Sequence, residues 1–287
     1  MRKDTLQQIL SEHCSGAKLL HQRPVGGGCI NHAIQLETDK GKYFLKFNTQ
    51  EKGDLFSSEV KGLQLLEANS PLKTPKVIAA GKVEAHSYLL LEWVASGHAS
   101  SKFWEDFGSG LAELHQTPSD HFGLDHDNYI GSLPQINNRH SNWADFFIAE
   151  RLEPQLTLAA SKALTDKGIQ SDFQRLFNQL EGLIPDEQPA LLHGDLWSGN
   201  FMTNEHSKPV LIDPAVHFGH RETEIAFTHL FGGFDSKFYR TYQLFYPLAP
   251  GFEERIELHN LYPLLVHVNL FGASYLSGIK QTLKRFT

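Results

Sequence analysis

Asp195 and Asn200 stand five positions apart in the run His193-Gly194-Asp195-Leu196-Trp197-Ser198-Gly199-Asn200, and a second aspartate, Asp213, closes the apolar pair Leu211-Ile212 just before Pro214. In phosphoryl transfer one carboxylate accepts the proton of the attacking hydroxyl, while an amide oxygen and a second carboxylate supply hard ligands to Mg²⁺. Asp195 is therefore the candidate base, and Asn200 and Asp213 are the candidate metal ligands. A neutral Asn adds an oxygen without placing a further like charge beside the base. The same residue types also make polar turns and helix caps, so the whole constellation, more than the spacing alone, favours the catalytic reading. His193, at the end of a strand pattern, either lines the site or orients the loop through its backbone, and the second reading is preferred.

A second set of residues lies nearer the N-terminus. Gly26-Gly27-Gly28 sits in a hairpin-like turn, where the missing Cβ atoms let backbone amides approach phosphate oxygens; alone, such a run is more often a plain turn, and its downstream partners change that balance. Lys46 falls in a strand pattern and Glu59 thirteen residues later in a helical one. Glu59, Gly62, Leu63 and Leu66 recur at helical spacing, which turns the carboxylate toward the sheet, where it needs a partner. Lys46 supplies one, and such a pair can aim an ammonium at nucleotide phosphates, as the strand lysine and helix glutamate of kinases do. Leu89-Leu90-Leu91-Glu92-Trp93-Val94 then leads into the second half of the chain. The main-chain atoms of Glu92 and Val94 are candidates for an adenine edge, and a solvent-facing Glu92 side chain is the equal alternative.

These residues must be held by two kinds of structure. Ala33–Thr38 and Tyr43–Phe47 alternate apolar and polar residues around Asp39-Lys40-Gly41; a helix is expected over 54–68, and further strands over 76–80 and 88–93. This is a small antiparallel sheet with one helix. After a break near Ser96-Gly97 the period becomes helical, with helices expected over 103–115, 143–158, 173–183 and 253–275, and one short β-rich insert formed by 190–193 and 209–212. The fold class is α+β.

The 287 residues are 40% hydrophobic and 21% charged, which excludes disorder and fibrous repeats. Lys plus Arg number 26 against 33 Asp plus Glu, a formal charge of −7, so nucleic acid is not an expected partner. The N-terminus lacks the apolar stretch of a secretory signal, and 261–276 is too short and too interrupted by His267, Asn269 and Gly272 to span a membrane. Two cysteines, Cys14 and Cys29, suit a reducing cytosol, so a cytoplasmic location without membrane partners is expected. The 16 histidines include no His-Glu-x-x-His, and no Gly-x-Ser-x-Gly elbow marks a serine hydrolase.

Taken in order, Gly26-Gly-Gly-Cys-Ile-Asn31, Lys46, Glu59, Leu91-Glu92, His193 to Asn200 and Ile212-Asp-Pro-Ala215 resemble the fructosamine kinase (ketosamine 3-kinase) family, within the aminoglycoside and choline phosphotransferase superfamily. His-Gly-Asp-Leu-Trp and Gly219-His-Arg-Glu222 narrow the match. The resemblance implies a two-lobed, protein-kinase-like fold: a nucleotide-binding lobe over residues 1–95 with a small antiparallel sheet, and a mainly helical catalytic and substrate-binding lobe over 96–287. It implies ATP and Mg²⁺ as cofactors and phosphorylation of the 3-hydroxyl of ketosamines (ribulosamines, erythrulosamines or fructosamines), on small amines or on glycated proteins, as a deglycation step. Asp195 carries over as base, Asn200 and Asp213 as magnesium ligands, and Lys46 with Glu59 as the phosphate-positioning pair. Gly194 stands where protein kinases have Arg, and Pro214 where they have Phe, which argues for a site assembled without activation-loop phosphorylation. Trp197 either stacks on the sugar or braces the loop. His220 and Arg221 are candidate substrate contacts, although a structural role at the start of a helix is preferred, and Phe231-Gly-Gly-Phe234 reads as tight helix packing or as backbone exposed to a glycated peptide. Cys29 is either a small packed residue or, as in some relatives, a redox switch forming a disulfide-linked homodimer. The rival readings are an aminoglycoside- or choline-type phosphotransferase and a catalytically silent nucleotide- or sugar-binding module.

Overall fold

Alternation of side chains between Leu19 and Glu92 builds five strands, β1 (Leu19–Pro24), β2 (His32–Thr38), β3 (Gly41–Thr49), β4 (Val77–Val83) and β5 (His86–Glu92), in the order β1-β2-β3-β5-β4 with every neighbouring pair antiparallel. In this computed structural model the described residues are 1–26, 31–49 and 54–287. One face of the sheet is covered by α1 (Lys3–His13), an amphipathic helix absent from the sequence expectations, whose Leu6, Ile9 and Leu10 close a core with Leu36, Leu45 and Leu90. Burying each such side chain stabilises by about 1.5–3 kcal/mol. The strand period of two that sends Leu45 into this core sends Lys46 to the opposite face, toward α2 (Leu55–Asn69).

The chain divides into two units. The first comprises 1–103 and 201–214, the second 104–200 and 215–287. The division differs from the break expected at 95/96, and local bonds give the reason. The hairpin of β6 (Phe201–Thr203) and β7 (Pro209–Leu211) returns to the first unit, where Gly97 N donates to Thr203 O at 2.9 Å and Leu211 N to Lys73 O at 2.8 Å. The ring of Phe103 lies 6.1 Å from that of Phe201.

The second unit is mainly helical around a core that includes Phe146, Phe173, Leu258, Leu265 and Ile279. The single helix expected over 143–158 is three pieces: a short helix Trp143–Phe146 started by Asn142, whose side chain accepts from Asp145 N, a π turn Phe147–Leu152, and a helix Glu153–Ser161. Pro154, at the start of the last piece, has no N–H to continue a regular ladder, and the π turn absorbs the mismatch. The helix expected over 253–275 likewise ends at His259, restarts over Leu261–Phe271 with Pro263 in its first turn, and stops at Gly272, φ 100°. The anticipated β insert is two separate ladders: β6 with β7 in the first unit, and Ala190–Leu192 with His217–Gly219 in the second. Among the described residues, no helix is long and apolar enough to cross a membrane.

Candidate active site

In the first unit Lys46 is buried between two carboxylates. Its Nζ donates to Glu59 Oε1 at 2.7 Å and also to Asp213 Oδ1. Burial alone would lower the lysine pKa, but the charges of Glu59 and Asp213 outweigh it and raise it, so the ammonium persists. Burial raises the carboxyl of Glu59, and the nearby charge of Asp213 adds to this against the attraction of Lys46. Asp213 is the open member: 45% of its side-chain surface is exposed, against 10% for Glu59. It follows β7 with φ 55°, a left-handed conformation that Asp tolerates better than most residues.

In the second unit the loop after Leu192 is pinned from both sides. Asn200 Nδ2 donates to Asp195 O at 2.8 Å and to Asp195 Oδ2 at 2.7 Å, while Asn200 N closes a turn onto Trp197 O at 3.0 Å. His193 is the orienting group that the preferred reading supposed: its buried Nδ1 accepts from Asp195 N at 3.3 Å. Gly194 has φ 84°, and a Cβ there would stand 2.0 Å from the carbonyl oxygen of Ala215, which excludes the arginine of protein kinases on backbone grounds.

The main anchor of this loop escaped the sequence reading. Glu224, buried in the first turn of the helix Arg221–His229, accepts from His193 N at 3.1 Å and Gly194 N at 2.7 Å, and shares a 2.9 Å hydrogen bond with His115 Nε2. His115 Nδ1 meets Tyr242 Oη at 2.7 Å. Burial pushes the Glu224 carboxyl up, but the His115 hydrogen bond, the neighbouring His193 and the Gly194 N–H outweigh it and hold the carboxyl below its usual range. Asp195 itself lines a cavity of the second unit together with Trp143, Phe147, Phe227, Tyr262 and His267.

The remaining expected residues fare differently. Gly26 is described, with open space where its Cβ would be; Gly27, Gly28 and Cys29 lie outside the described residues. Glu92 ends β5 with its N–H bonded to Lys76 O at 2.9 Å and its Oε1 accepting from Lys76 N at 3.0 Å, so its side chain ties a strand end, and Val94 follows two residues on. Trp197 folds back on its own loop: a Cβ on Gly199 would lie 2.4 Å from its Cη2, a bracing contact. The assignment of His220 and Arg221 to substrate is corrected. His220 is buried, with Nε2 at 3.0 Å from Pro185 O and Nδ1 accepting from Glu222 N. Arg221 is 3% exposed and spends its donors on both oxygens of Glu187 and on the carbonyls of Tyr246 and Pro247. His220, Glu222 and His259 bring potential ligand atoms within 4.8 Å of one another, but Arg255 and His259 already occupy the Glu222 oxygens.

The residues present fit a hard divalent cation in their chemistry. With the amide nitrogen of Asn200 committed to Asp195, its Oδ1 is the atom left for a metal, and Asp213 presents an exposed carboxylate. A buried strand lysine paired with a helix glutamate, an Asp-x-x-x-x-Asn loop and a further aspartate at a strand end, carried on an antiparallel sheet and a helical unit, define a phosphotransferase with a protein-kinase-like fold. Within that class the chain belongs to the fructosamine kinase family, whose model matches residues 1–287. It is 42% identical over 266 residues to the "Probable ketoamine kinase" of Lactiplantibacillus plantarum, covering 92% of this chain and 93% of that one. It is 34% identical over 283 residues to the chloroplastic protein-ribulosamine 3-kinase of Arabidopsis thaliana, covering 97% and 86%. The crystal structure of a candidate fructosamine-3-kinase from Thermobifida fusca superposes with a TM-score of 0.87 at 32% identity, covering 98% of each chain.

Proposed function

We propose that this kinase transfers the γ-phosphoryl group of ATP to the 3-hydroxyl of a ketosamine, carried on a small amine or on a glycated protein, and so marks the adduct for breakdown and release of the amine. The observation that carries this reading is Asp195, fixed by Asn200 and lining an aromatic-walled cavity, in a chain of this family. As the substrate oxygen bonds to phosphorus and the bond from the γ-phosphorus to the bridging oxygen breaks, the Asp195 carboxylate takes the hydroxyl proton. Lys46, kept charged by its two carboxylates, offers an ammonium to the nucleotide phosphates. Asn200 and Asp213 would hold Mg²⁺, which when bound neutralises phosphate charge and orients the nucleotide.

The reading is tested by comparing turnover of a ribulosamine with that of choline and aminoglycosides under Mg²⁺ and ATP. Turnover of the ribulosamine is expected. Activity on choline or aminoglycosides alone would replace this reading by its superfamily rival, and the absence of any ATP turnover would favour a silent binding module. Asp213→Ala is expected to weaken ATP binding in the presence of Mg²⁺ by at least about tenfold, because a charged metal ligand is lost. Titration calorimetry with and without the metal checks it, and an unchanged Mg²⁺-dependent affinity would remove Asp213 from that role.

A further inference from the structure

Phe231 occupies a backbone conformation that a bulky aromatic rarely adopts, φ 58° and ψ 39°, followed by Gly232 and Gly233 at φ 107° and 73°. Such outliers persist where the surroundings hold them and concentrate at binding sites. Here the left-handed turn does not drive the ring into the core, for 41% of Phe231 remains exposed. The turn instead presents the ring to a cluster: His267 lies 4.8 Å away between ring centroids, Trp197 6.2 Å, and Tyr275 and Phe227 6.4 Å each. Phe271, 51% exposed just before Gly272, adds its ring 5.4 Å from His267 and 6.4 Å from Tyr275. Two glycine-flanked bends thus hold half-open aromatic rings together.

The cluster is continuous with the cavity that contains Asp195. His267 and Phe227 line that cavity, and Trp197 lies two residues beyond Asp195. Burial lowers the pKa of His267 against the Pro263 carbonyl that accepts from its ring, which favours the neutral ring within the cluster.

We propose that Phe231, Phe271 and Tyr275 form the subsite for the amine carrier of the acceptor, receiving its protonated secondary amine and the alkyl chain beyond it, as on a lysine side chain. The assignment rests on the ketosamine reading above. In a ketosamine the nitrogen sits on C1 and the reacting oxygen on C3, so a hydroxyl placed against Asp195 leaves the amine only a short stretch of sugar away, with its substituent directed out of the cavity. Aromatic faces attract an alkylammonium through their quadrupoles and cover its methylenes without demanding a particular partner. A subsite of this kind accepts many carriers with one sugar, whereas a carboxylate clamp would select for a fixed position of charge.

The test compares N-ribulosyl-lysine with an ether analogue in which oxygen replaces the C1-bound nitrogen. The first is used as substrate (KM) and the second as competitive inhibitor (Ki), on the wild type, Phe231→Gly and Phe271→Leu. Phe231→Gly removes the ring while easing the left-handed backbone, and Phe271→Leu keeps apolar surface while removing the aromatic face. Both are expected to raise KM for the amine about tenfold with kcat retained, and to raise Ki for the ether, which loses only methylene contacts, by a clearly smaller factor of about threefold or less. Equal losses for both compounds would mean that the rings only pack the loops and would overturn the subsite, as would unchanged values for both. If the wild type phosphorylates no ketosamine, the ketosamine reading falls and this assignment falls with it.

Discussion

Replacing Asp195 by asparagine is expected to lower kcat by about 10²–10⁴-fold while leaving the affinity for ATP within about twofold of wild type. The amide has the size of the carboxylate and can still meet Asn200, whose Nδ2 bridges the main chain and side chain of Asp195, so the loop keeps its shape. What it lacks is the capacity to take the hydroxyl proton as the new P–O bond forms. Steady-state rates with a ribulosamine, together with titration of ATP into both proteins, separate the two quantities. Turnover close to wild type would remove Asp195 from the role of base. A parallel loss of ATP affinity would point instead to a collapsed loop.

The second large effect is expected at Glu224, which anchors the loop that carries Asp195. Glu224→Gln keeps the shape but replaces one acceptor oxygen by a donor. Of the three groups that now converge on the carboxylate, His193 N, Gly194 N and His115 Nε2, at least one then faces an amine. A buried donor left without an acceptor costs about 1–3 kcal/mol, so stability should fall by at least that much. Because the freed N–H groups belong to the loop that carries Asp195, kcat should fall by at least about tenfold with KM for ATP little changed. The pH dependence distinguishes the charged anchor from mere packing. A carboxyl held below its unfolded value of about 4.3 contributes stability that is fully present above that value and is lost as pH falls through the native pKa. The stability gap between wild type and Glu224→Gln should therefore be widest near neutrality and narrow on acidification below about 4.3. A gap independent of pH, measured by denaturant unfolding across that range, would show that the carboxylate charge is immaterial.

Glu224 also shows where sequence reasoning stops. The Lys46–Glu59 pair was legible because two local periods decide it: a strand alternation puts Lys46 opposite Leu45, and a helical repeat puts Glu59 on the stripe of Leu63 and Leu66. Asp195 and Asn200 were legible for the same reason, being joined within one short loop. The ion pair of Lys46 with Asp213 spans 167 residues, and the hydrogen bond of Glu224 with His115 spans 109, and no local spacing encodes either. Read locally, Glu224 is an acid at a helix start, a sufficient role in itself. For His220 and Arg221 a structural role at the helix start is the preferred reading, but their partners are out of local reach: Pro185 O for His220, and Glu187 with the carbonyls of Tyr246 and Pro247 for Arg221. The helix breaks at 147–152 and 260 were hidden by uninterrupted apolar periodicity, although Pro154 and Pro263 mark both places.

The return of 201–214 to the first unit bears on recombination. Neither unit is a continuous stretch of chain, so no single junction exchanges one of them whole between relatives. A fragment ending at Phe103 carries Lys46 and Glu59 but not Asp213, and it leaves Gly97 without Thr203 and Lys73 without Leu211. A chimera joined once at residue 103 takes the ammonium from one parent and its exposed counter-charge from the other. Inheriting the first unit intact requires three junctions, after residues 103, 200 and 214, with the short insert travelling alongside the N-terminal segment.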